Sequence, residues 1–414
     1  MNENALLRAA CDVRPGASIE PCAEYDWRYL QDAAHRQGVT PLLYDWLTRH
    51  PEVAVDPLDR AMLHDAYWAN HFRNRLLLAE LARVREAARR LGLDLMPLKG
   101  ARLAPDYYPA PALRPLCDLD FLVRPEHLQR VGELLSSIGY RQVEKPGTYI
   151  DASALDAGSS EHSFAADADG FDAQIEYRAV ALELTSLQLT DLDPVVTAAL
   201  RAYTADAWAR ARSTRMTPED LLLHVTTHLA ARHVDFRLIW LHDIARLIAG
   251  EPELDWTYVV RTSARLRAAA PVGAALQAAE RWVGAAVPPE IVAQLHDAAR
   301  TRPWLAIDRW NHGRLMDHVA SLGDRDLRAE GPGLSPIATA LGCLSGWGPR
   351  LKLLRWVALP SRAYLADRGM ASTGVFGYAG ASVRRYVNYG ARSLGIASVS
   401  TSSAVAAKSP ERSA

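Results

Sequence analysis

Residues 116–123 read LCDLDFLV, and this stretch decides the fold of the central part of the chain. Apolar side chains at Leu119, Phe121 and Val123 alternate with two carboxylates, which is the period of a half-buried β-strand. The carboxylates of Asp118 and Asp120 then share one face, with Cα atoms about 6.6 Å apart. Acids this close are costly unless a cation lies between them. They are our candidate ligands for magnesium, as one ion or a pair. The alternative is two solvated acids on an exposed edge strand.

A third carboxylate is predicted from residues 171–180, FDAQIEYRAV, which are expected to form another strand. Asp172, Gln174 and Glu176 alternate along it and therefore share one face. Either acid could complete the metal site or act as a general base toward an attacking hydroxyl. Glu176 is the first choice because it lies deeper in the strand, and Asp172 is the second. The alternative is that both are ordinary outward-facing polar residues.

Three further residues are candidate phosphate contacts. Lys99 and Gly100 follow a short apolar run, and Arg114 lies in a proline-rich stretch before the aspartate pair. Glycine lets backbone N–H groups approach a phosphate closely. Lysine and arginine neutralise charge that develops on a transferred phosphoryl group. The alternative interpretation is a turn glycine and two solvated cations.

The whole chain is predicted to be α+β, with a small mixed sheet wrapped by helices from both ends. Residues 93–98 and 140–143 read as strands, 125–139 as a helix, and 144–170 as a loop. Thr217-Pro218 followed by two acids predicts the start of a helix. The expected segments are an N-terminal helical segment at 1–92, an α/β core at 93–185, a C-terminal helical domain at 186–350, a helical extension at 351–394 and a disordered tail at 395–414.

Composition limits the partners that the chain is expected to have. Its 414 residues carry 47 basic and 48 acidic side chains, for a formal net charge of -1. This balance gives no global drive toward nucleic acid or an anionic membrane. The four cysteines are widely spaced, which fits a reducing compartment better than a disulfide framework. With no signal-peptide pattern and no long apolar span, we expect a cytoplasmic protein with no membrane partner.

Two helical groups invite a functional interpretation but favour a structural one. His224 and His228 are four residues apart, a metal-ligand spacing, yet no third ligand is obvious and packing is the favoured role. Arg237, Trp240 and Asp243 recur at three-residue spacing, so they fall on one side of a helix. They could form a structural ion pair under an aromatic ring, which is the favoured interpretation, or line a substrate cleft.

Taken together, these motifs resemble the uncharacterised nucleotidyltransferase family of bacteria. The residues that carry the resemblance are LKGARL at 98–103, the tyrosines at 107–108, Arg114, CDLDFLV at 117–123, and Gly139-Tyr140. The helical text at 216–248 resembles the same family, and the likeness covers about residues 25–300. The family is similar to the DNA-polymerase-β-like nucleotidyltransferase superfamily.

The resemblance implies a nucleotidyltransferase core in which the aspartate pair holds the metals and a third carboxylate lies on a nearby strand. One departure affects that third ligand. The family often carries an acid, an apolar residue, then His-Trp, where this chain has Gln174-Ile175-Glu176-Tyr177. In this alignment Gln174 replaces the acid, and Glu176 supplies a carboxylate two residues later.

The function implied is transfer of a nucleoside monophosphate from a nucleoside triphosphate, ATP being the first choice, to an unidentified acceptor. The acceptor could be a small hydroxyl compound, a sugar, a peptide or a protein. Two alternatives stay open at this point. One is a degenerate scaffold that keeps the fold without the chemistry, which the Gln174 departure supports. The other is an enzyme that acts on RNA ends, for which the arginines of residues 201–215 could form a local patch.

Overall fold

The structure is a computed structural model, and it divides into two compact units. The first comprises Met1–Pro146 and Leu155–Arg350, and the second comprises Gly147–Ala154 and Leu351–Ala414. The residues that it describes are 2–14, 16, 25–143, 162–168, 171–182, 193–233, 236–300, 316, 319–320, 326–328, 341 and 344–358. The predicted tail at 395–414 and most of the predicted extension at 351–394 lie outside these ranges. The predicted domain boundaries stay predictions.

The described strands form one mixed five-stranded sheet in the order β1-β2-β5-β4-β3. Its strands are β1 (Leu95–Pro97), β2 (Leu119–Val123), β3 (Arg141–Val143), β4 (His162–Ala168) and β5 (Phe171–Arg178). Strands β2 and β5 are parallel, and the other neighbours are antiparallel. The predicted α+β fold class is therefore confirmed.

Helices make up most of the described chain, and they come both before and after the strands in the sequence. They are α1 (Asn2–Cys11), α2 (Trp27–Gln37), α3 (Thr40–Arg49), α4 (Pro57–Arg90), α5 (Lys99–Tyr107), α6 (Leu128–Ser137), α7 (Pro194–Arg210), α8 (Pro218–Thr227), α9 (Leu238–Gly250), α10 (Trp256–Arg265), α11 (Ala269–Val283), α12 (Pro289–Arg300) and α13 (Trp347–Ala358).

One face of the sheet is the core of the α/β part. Phe121, Phe164 and Ile175 project from three neighbouring strands into a buried cluster with α4 and α6. Leu81 and Leu135 represent those two helices in the cluster. Because side chains alternate along a strand, the even-numbered residues of β2 and β5 lie on the other face. The core therefore fixes which way Asp120 and Glu176 point.

The structure corrects one sequence prediction in this sheet. Residues 144–170 are predicted as a loop, yet His162–Ala168 form β4, which pairs with β3 on one side and β5 on the other. Alanine, serine and aspartate have low strand propensity. Pairing on both edges and burial of Phe164 and Ala166 override it. Residues 144–161 and 169–170 lie outside the described ranges.

Helix α8 begins where the sequence predicts, and its start is also a structural hub. Thr217 is the N-cap, and its hydroxyl accepts from the backbone N–H of Asp220 at 3.3 Å. The buried Asp220 carboxylate accepts hydrogen bonds from the hydroxyls of Tyr203 and Tyr258 at 2.9 and 2.8 Å. The guanidinium of Arg210 also donates to it, at 2.9 Å. One carboxylate thus ties α8 to α7 and α10.

A buried histidine attaches helix α9 to the N-terminal helix. The Nδ1–H of His242 donates to the carbonyl of Cys11, the last residue of α1, at 2.7 Å. Burial lowers the pKa of His242 to about 4, although this hydrogen bond favours the protonated form. The imidazole is therefore neutral at pH 7, so no charge is buried at this position.

His242 should make the fold sensitive to mild acid. The unfolded chain takes up the proton near pH 6.5 and the folded chain only near pH 4. The unfolded state therefore binds more protons as pH falls through that window, and stability is lost with it, by about 3 kcal/mol at the acid end. His242→Gln should lose this part of the pH dependence in urea unfolding between pH 7.5 and 4. His35→Gln, at an exposed position, controls for removing a histidine; parallel curves for wild type and His242→Gln would refute the assignment.

Candidate metal centre

The register of two parallel strands brings the predicted carboxylates together. Asp120 on β2 is the direct partner of Glu176 on β5, and Asp118 lies two residues before Asp120. One ligand atom from each of the three lies within 4.8 Å of the others. Asp120 and Glu176 are buried, whereas Asp118 is half-buried. The three carboxylates therefore form an acidic group whose most exposed member is Asp118.

Two cations border this group. Lys99 Nζ donates to Asp120 Oδ1 at 2.8 Å, and Arg178 Nη2 lies 3.5 Å from the same oxygen. Both cationic side chains are largely buried, with exposures of 15% and 5%. Three carboxylates with ligand atoms within 4.8 Å of one another repel each other in a mostly buried place, and a bound divalent cation would offset that repulsion. An all-carboxylate donor set of hard oxygens fits magnesium or a similar divalent ion.

The backbone at Lys99 is bent so that its side chain reaches Asp120. Lys99 has a φ of 44°, in the left-handed region that side-chain-bearing residues rarely adopt. It begins α5 directly after β1, and the N–H of Leu98 donates to the carbonyl of Asp120 at 2.9 Å. Such a conformation costs about 1–3 kcal/mol and persists only where its surroundings hold it. The turn therefore holds the side chain of Lys99 against Asp120.

Gly100 has a packing reason to be glycine. A Cβ at this position would come within 2.7 Å of Leu116 Cδ2 and 3.3 Å of Arg114 Nη1. The start of α5 can therefore approach the residues before β2 only without a side chain here. Its predicted contact with phosphate stays a prediction.

The structure places Arg114 in an ion pair with Asp243, and its predicted contact with phosphate stays a prediction. Its guanidinium donates to both oxygens of Asp243 on α9, at 2.9 and 2.7 Å, and to the carbonyl of Pro115. The hydroxyl of Tyr108 donates to Asp243 at 2.6 Å. Burial opposes the charge on Arg114, but the adjacent Asp243 more than compensates and raises the pKa of the guanidinium. Arg114 thus fastens the loop before β2 to the helical part.

The favoured structural role of Asp243 agrees with this pair, although its cationic partner comes from far away in the sequence. Arg237 instead lies over the ring of Trp240, 5.1 Å from its centroid. His224 is buried, and its Nδ1 bonds the carbonyl of Ala181 at 2.6 Å. The rings of His224 and His228 stack 6.2 Å apart.

The strand register separates the two candidates for the third carboxylate. Glu176 lies directly beside Asp120, whereas Asp172 precedes it by four residues, about 13 Å along an extended strand. The side chain of Asp172 lies outside the described residues. Gln174 is exposed. Sequence reasoning missed Arg178, which the alternation from Glu176 could have placed on the same face.

A known protein family matches most of this chain. The sequence profile described as uncharacterised nucleotidyltransferase matches residues 23–284. The chain belongs to this nucleotidyltransferase family. The matched region includes Asp118, Asp120, Glu176 and Lys99, so the carboxylate group lies inside the nucleotidyltransferase part. No curated protein and no solved structure matches the chain. Among the helices of the described ranges, none has the length and apolar content to cross a membrane.

The Arg114–Asp243 pair should matter to stability. Asp243→Ala would leave a guanidinium with 11% exposure without its partner, at a cost of about 3–5 kcal/mol in the free energy of unfolding. Arg114→Ala should also destabilise, and the double variant should cost less than the sum of the two. Denaturant unfolding measures all three.

The matched control is Asp45→Ala, which removes the exposed partner of Arg49 and should cost less than about 1 kcal/mol. If Arg114→Gln instead kept wild-type stability but weakened nucleotide binding about tenfold, Arg114 would be a phosphate contact after all.

Proposed function

We propose that this chain is a metal-dependent nucleotidyltransferase that transfers a nucleoside monophosphate from a nucleoside triphosphate, ATP being our first choice, to an acceptor nucleophile. The observation that carries the proposal is the group of Asp118, Asp120 and Glu176, with ligand atoms within 4.8 Å of one another. The family membership supports the same reaction class.

In this proposal the three carboxylates would hold magnesium, and we assign them two ions. The chemistry that bound magnesium supplies is neutralisation of phosphate charge and alignment of the attacking and leaving oxygens. Asp118, the half-buried member, faces the open side where substrates would enter. Asp120 is held by Lys99 and Arg178. These two contacts fix the position of its carboxylate.

The proposed transfer is a single displacement at the α-phosphorus. A bond forms from the acceptor oxygen, or another nucleophilic atom, to the α-phosphorus, and the bond to the oxygen that bridges the β-phosphate breaks. Pyrophosphate leaves, and the acceptor's proton passes to a carboxylate, for which we assign Glu176. In this proposal Lys99, which contacts Asp120, would exchange part of that contact for a triphosphate oxygen once phosphate is bound. Gly100 would let the backbone approach the same group.

The degenerate-scaffold alternative is weakened by the strand register. Gln174 departs from the family pattern, but Glu176 places a carboxylate directly beside Asp120. We therefore assign Glu176, rather than residue 174, as the third acid of the set. Experiments that identify the acceptor will decide whether it is the end of an RNA.

Magnesium-dependent nucleotide binding is the first test. Wild type is dialysed against labelled ATP, GTP, CTP and UTP with and without magnesium, beside Asp118→Asn and Asp120→Asn. We expect metal-dependent binding of one nucleotide, weakened about tenfold or more in each variant because a charged metal ligand is lost. Once an acceptor is found, turnover should fall about 10³-fold. A folded wild type that binds no nucleotide would favour the scaffold.

The third ligand is tested by a pair of variants on one strand. Glu176→Gln should reduce binding of manganese, a spectroscopic substitute for magnesium, as titrated by electron paramagnetic resonance. Asp172→Asn is the matched control and should bind manganese as wild type does. The reverse pattern would show that Asp172 is the ligand. Circular dichroism of each variant verifies that the sheet is intact.

A further inference from the structure

A polar groove lies at the C-terminal end of α5, separate from the three carboxylates. It has a volume of about 540 Å³, within the range of small-molecule sites. Three parts of the chain form it: the last turns of α5, the turn before α8 and the end of α9. Its charged and aromatic lining comprises Arg102, Asp106, Tyr107, Arg215, Arg246 and Glu251.

The charges of the groove do not balance. Three arginines face two carboxylates, and each carboxylate is already engaged. Asp106 pairs with Arg102 and, at 3.3 Å, with Arg215. Glu251 accepts from the hydroxyl of Tyr107 at 2.9 Å. One positive charge is therefore in excess within the lining.

A fourth arginine beside the groove adds to this excess. Arg85 donates to the hydroxyl of Thr214 at 2.9 Å, next to Arg215. Burial, and then the charge of Arg215, lower the pKa of Arg85. The partly buried Arg85 and the exposed Arg215 thus carry like charges close together, and an anion between them would relieve their repulsion.

Arg102 belongs to the same lining and is 9% exposed. Its guanidinium pairs with Asp106, one helical turn later. Guanidinium groups suit planar or tetrahedral oxyanions because they donate in pairs. A ligand with oxygen acceptors therefore fits this arginine-rich lining.

The turn that carries Arg215 is strained. Ser213 and Thr214 have φ values of 50° and 57°, and the turn is closed by mutual backbone hydrogen bonds between Arg212 and Arg215. Two consecutive left-handed residues that are not glycine are costly. This unusual turn places Arg215 against Asp106 at the groove.

Helix α5 connects the groove with the metal centre. Lys99, Arg102 and Asp106 are spaced three and four residues apart and so fall on one side of the helix. With a rise of 1.5 Å per residue, Arg102 is about 5 Å and Asp106 about 10 Å along the axis from Lys99. A small molecule spans such a distance.

We infer that this groove binds the phosphate or carboxylate group of the acceptor, which makes the acceptor an anionic small molecule. The assignment of the occupant to the acceptor rests on the proposed function; the oxyanion site itself does not.

Binding of inorganic phosphate without divalent metal tests the site. Equilibrium dialysis of labelled phosphate in the presence of EDTA is carried out on wild type, Arg215→Gln and Arg212→Gln. Arg215 is 54% exposed, so its replacement should leave the fold intact. Arg212 belongs to the same turn but not to the groove lining, and it is the matched control. We expect about tenfold weaker binding in Arg215→Gln and wild-type binding in Arg212→Gln. Equal binding in all three would overturn the site.

Nucleotide competition then identifies the source of the anion. If magnesium-ATP binds equally to wild type and Arg215→Gln while phosphate binding falls only in the variant, the groove belongs to the acceptor. If ATP displaces phosphate and itself binds about tenfold more weakly to Arg215→Gln, the groove holds the triphosphate and the acceptor assignment is wrong.

The Asp120→Asn variant distinguishes the groove from the metal centre, because Asp120 belongs to the three carboxylates and not to the groove lining. It should retain metal-free phosphate binding while it loses magnesium-dependent nucleotide binding. Loss of both in a folded variant would show that phosphate binds at the metal centre and would overturn the groove assignment.

Discussion

The parallel pairing of β2 with β5 is the constraint on which the candidate site depends. It sets Asp120 beside Glu176, and the alternation of each strand sends both carboxylates away from the apolar core. A slip of one residue in either strand would turn its carboxylate into the cluster around Phe121 and Ile175. Packing of that cluster therefore fixes the geometry of the charged face as firmly as any polar contact does.

The sequence predicts the features that depend on local order. The alternation at 116–123 predicted a strand, of which Leu119–Val123 is observed, and the closeness of Asp118 and Asp120. Capping chemistry located the start of α8. The sequence ranks Glu176 before Asp172 as the third carboxylate, but both lie on one face, and only the pairing between strands shows that Glu176 is the one beside Asp120. The strand β4 was missed for a related reason: its residues have little intrinsic strand preference, and its partners on both edges stabilise it.

Long-range pairing accounts for contacts that local order does not show. Arg114 is predicted as a phosphate contact from its position before the aspartates, and its ion-pair partner Asp243 lies 129 residues later. No local pattern connects two such residues. Helix α9, which carries Asp243, also provides Arg246, and Glu251 is the residue that follows the helix. Helix α9 thus both secures the loop before β2 and contributes to the wall of the arginine-rich groove, and neither role is visible in its apolar periodicity.

The bend at Lys99 has a consequence for which residues this position can hold. The left-handed backbone favours glycine or asparagine, whereas the contact with Asp120 requires a long cationic side chain. No residue type satisfies both demands. Glycine or asparagine at this position would relax the backbone but remove the charge, whereas arginine would keep both the charge and the strain. Lysine at this position therefore retains the ion pair with Asp120 at the cost of an unfavourable backbone conformation.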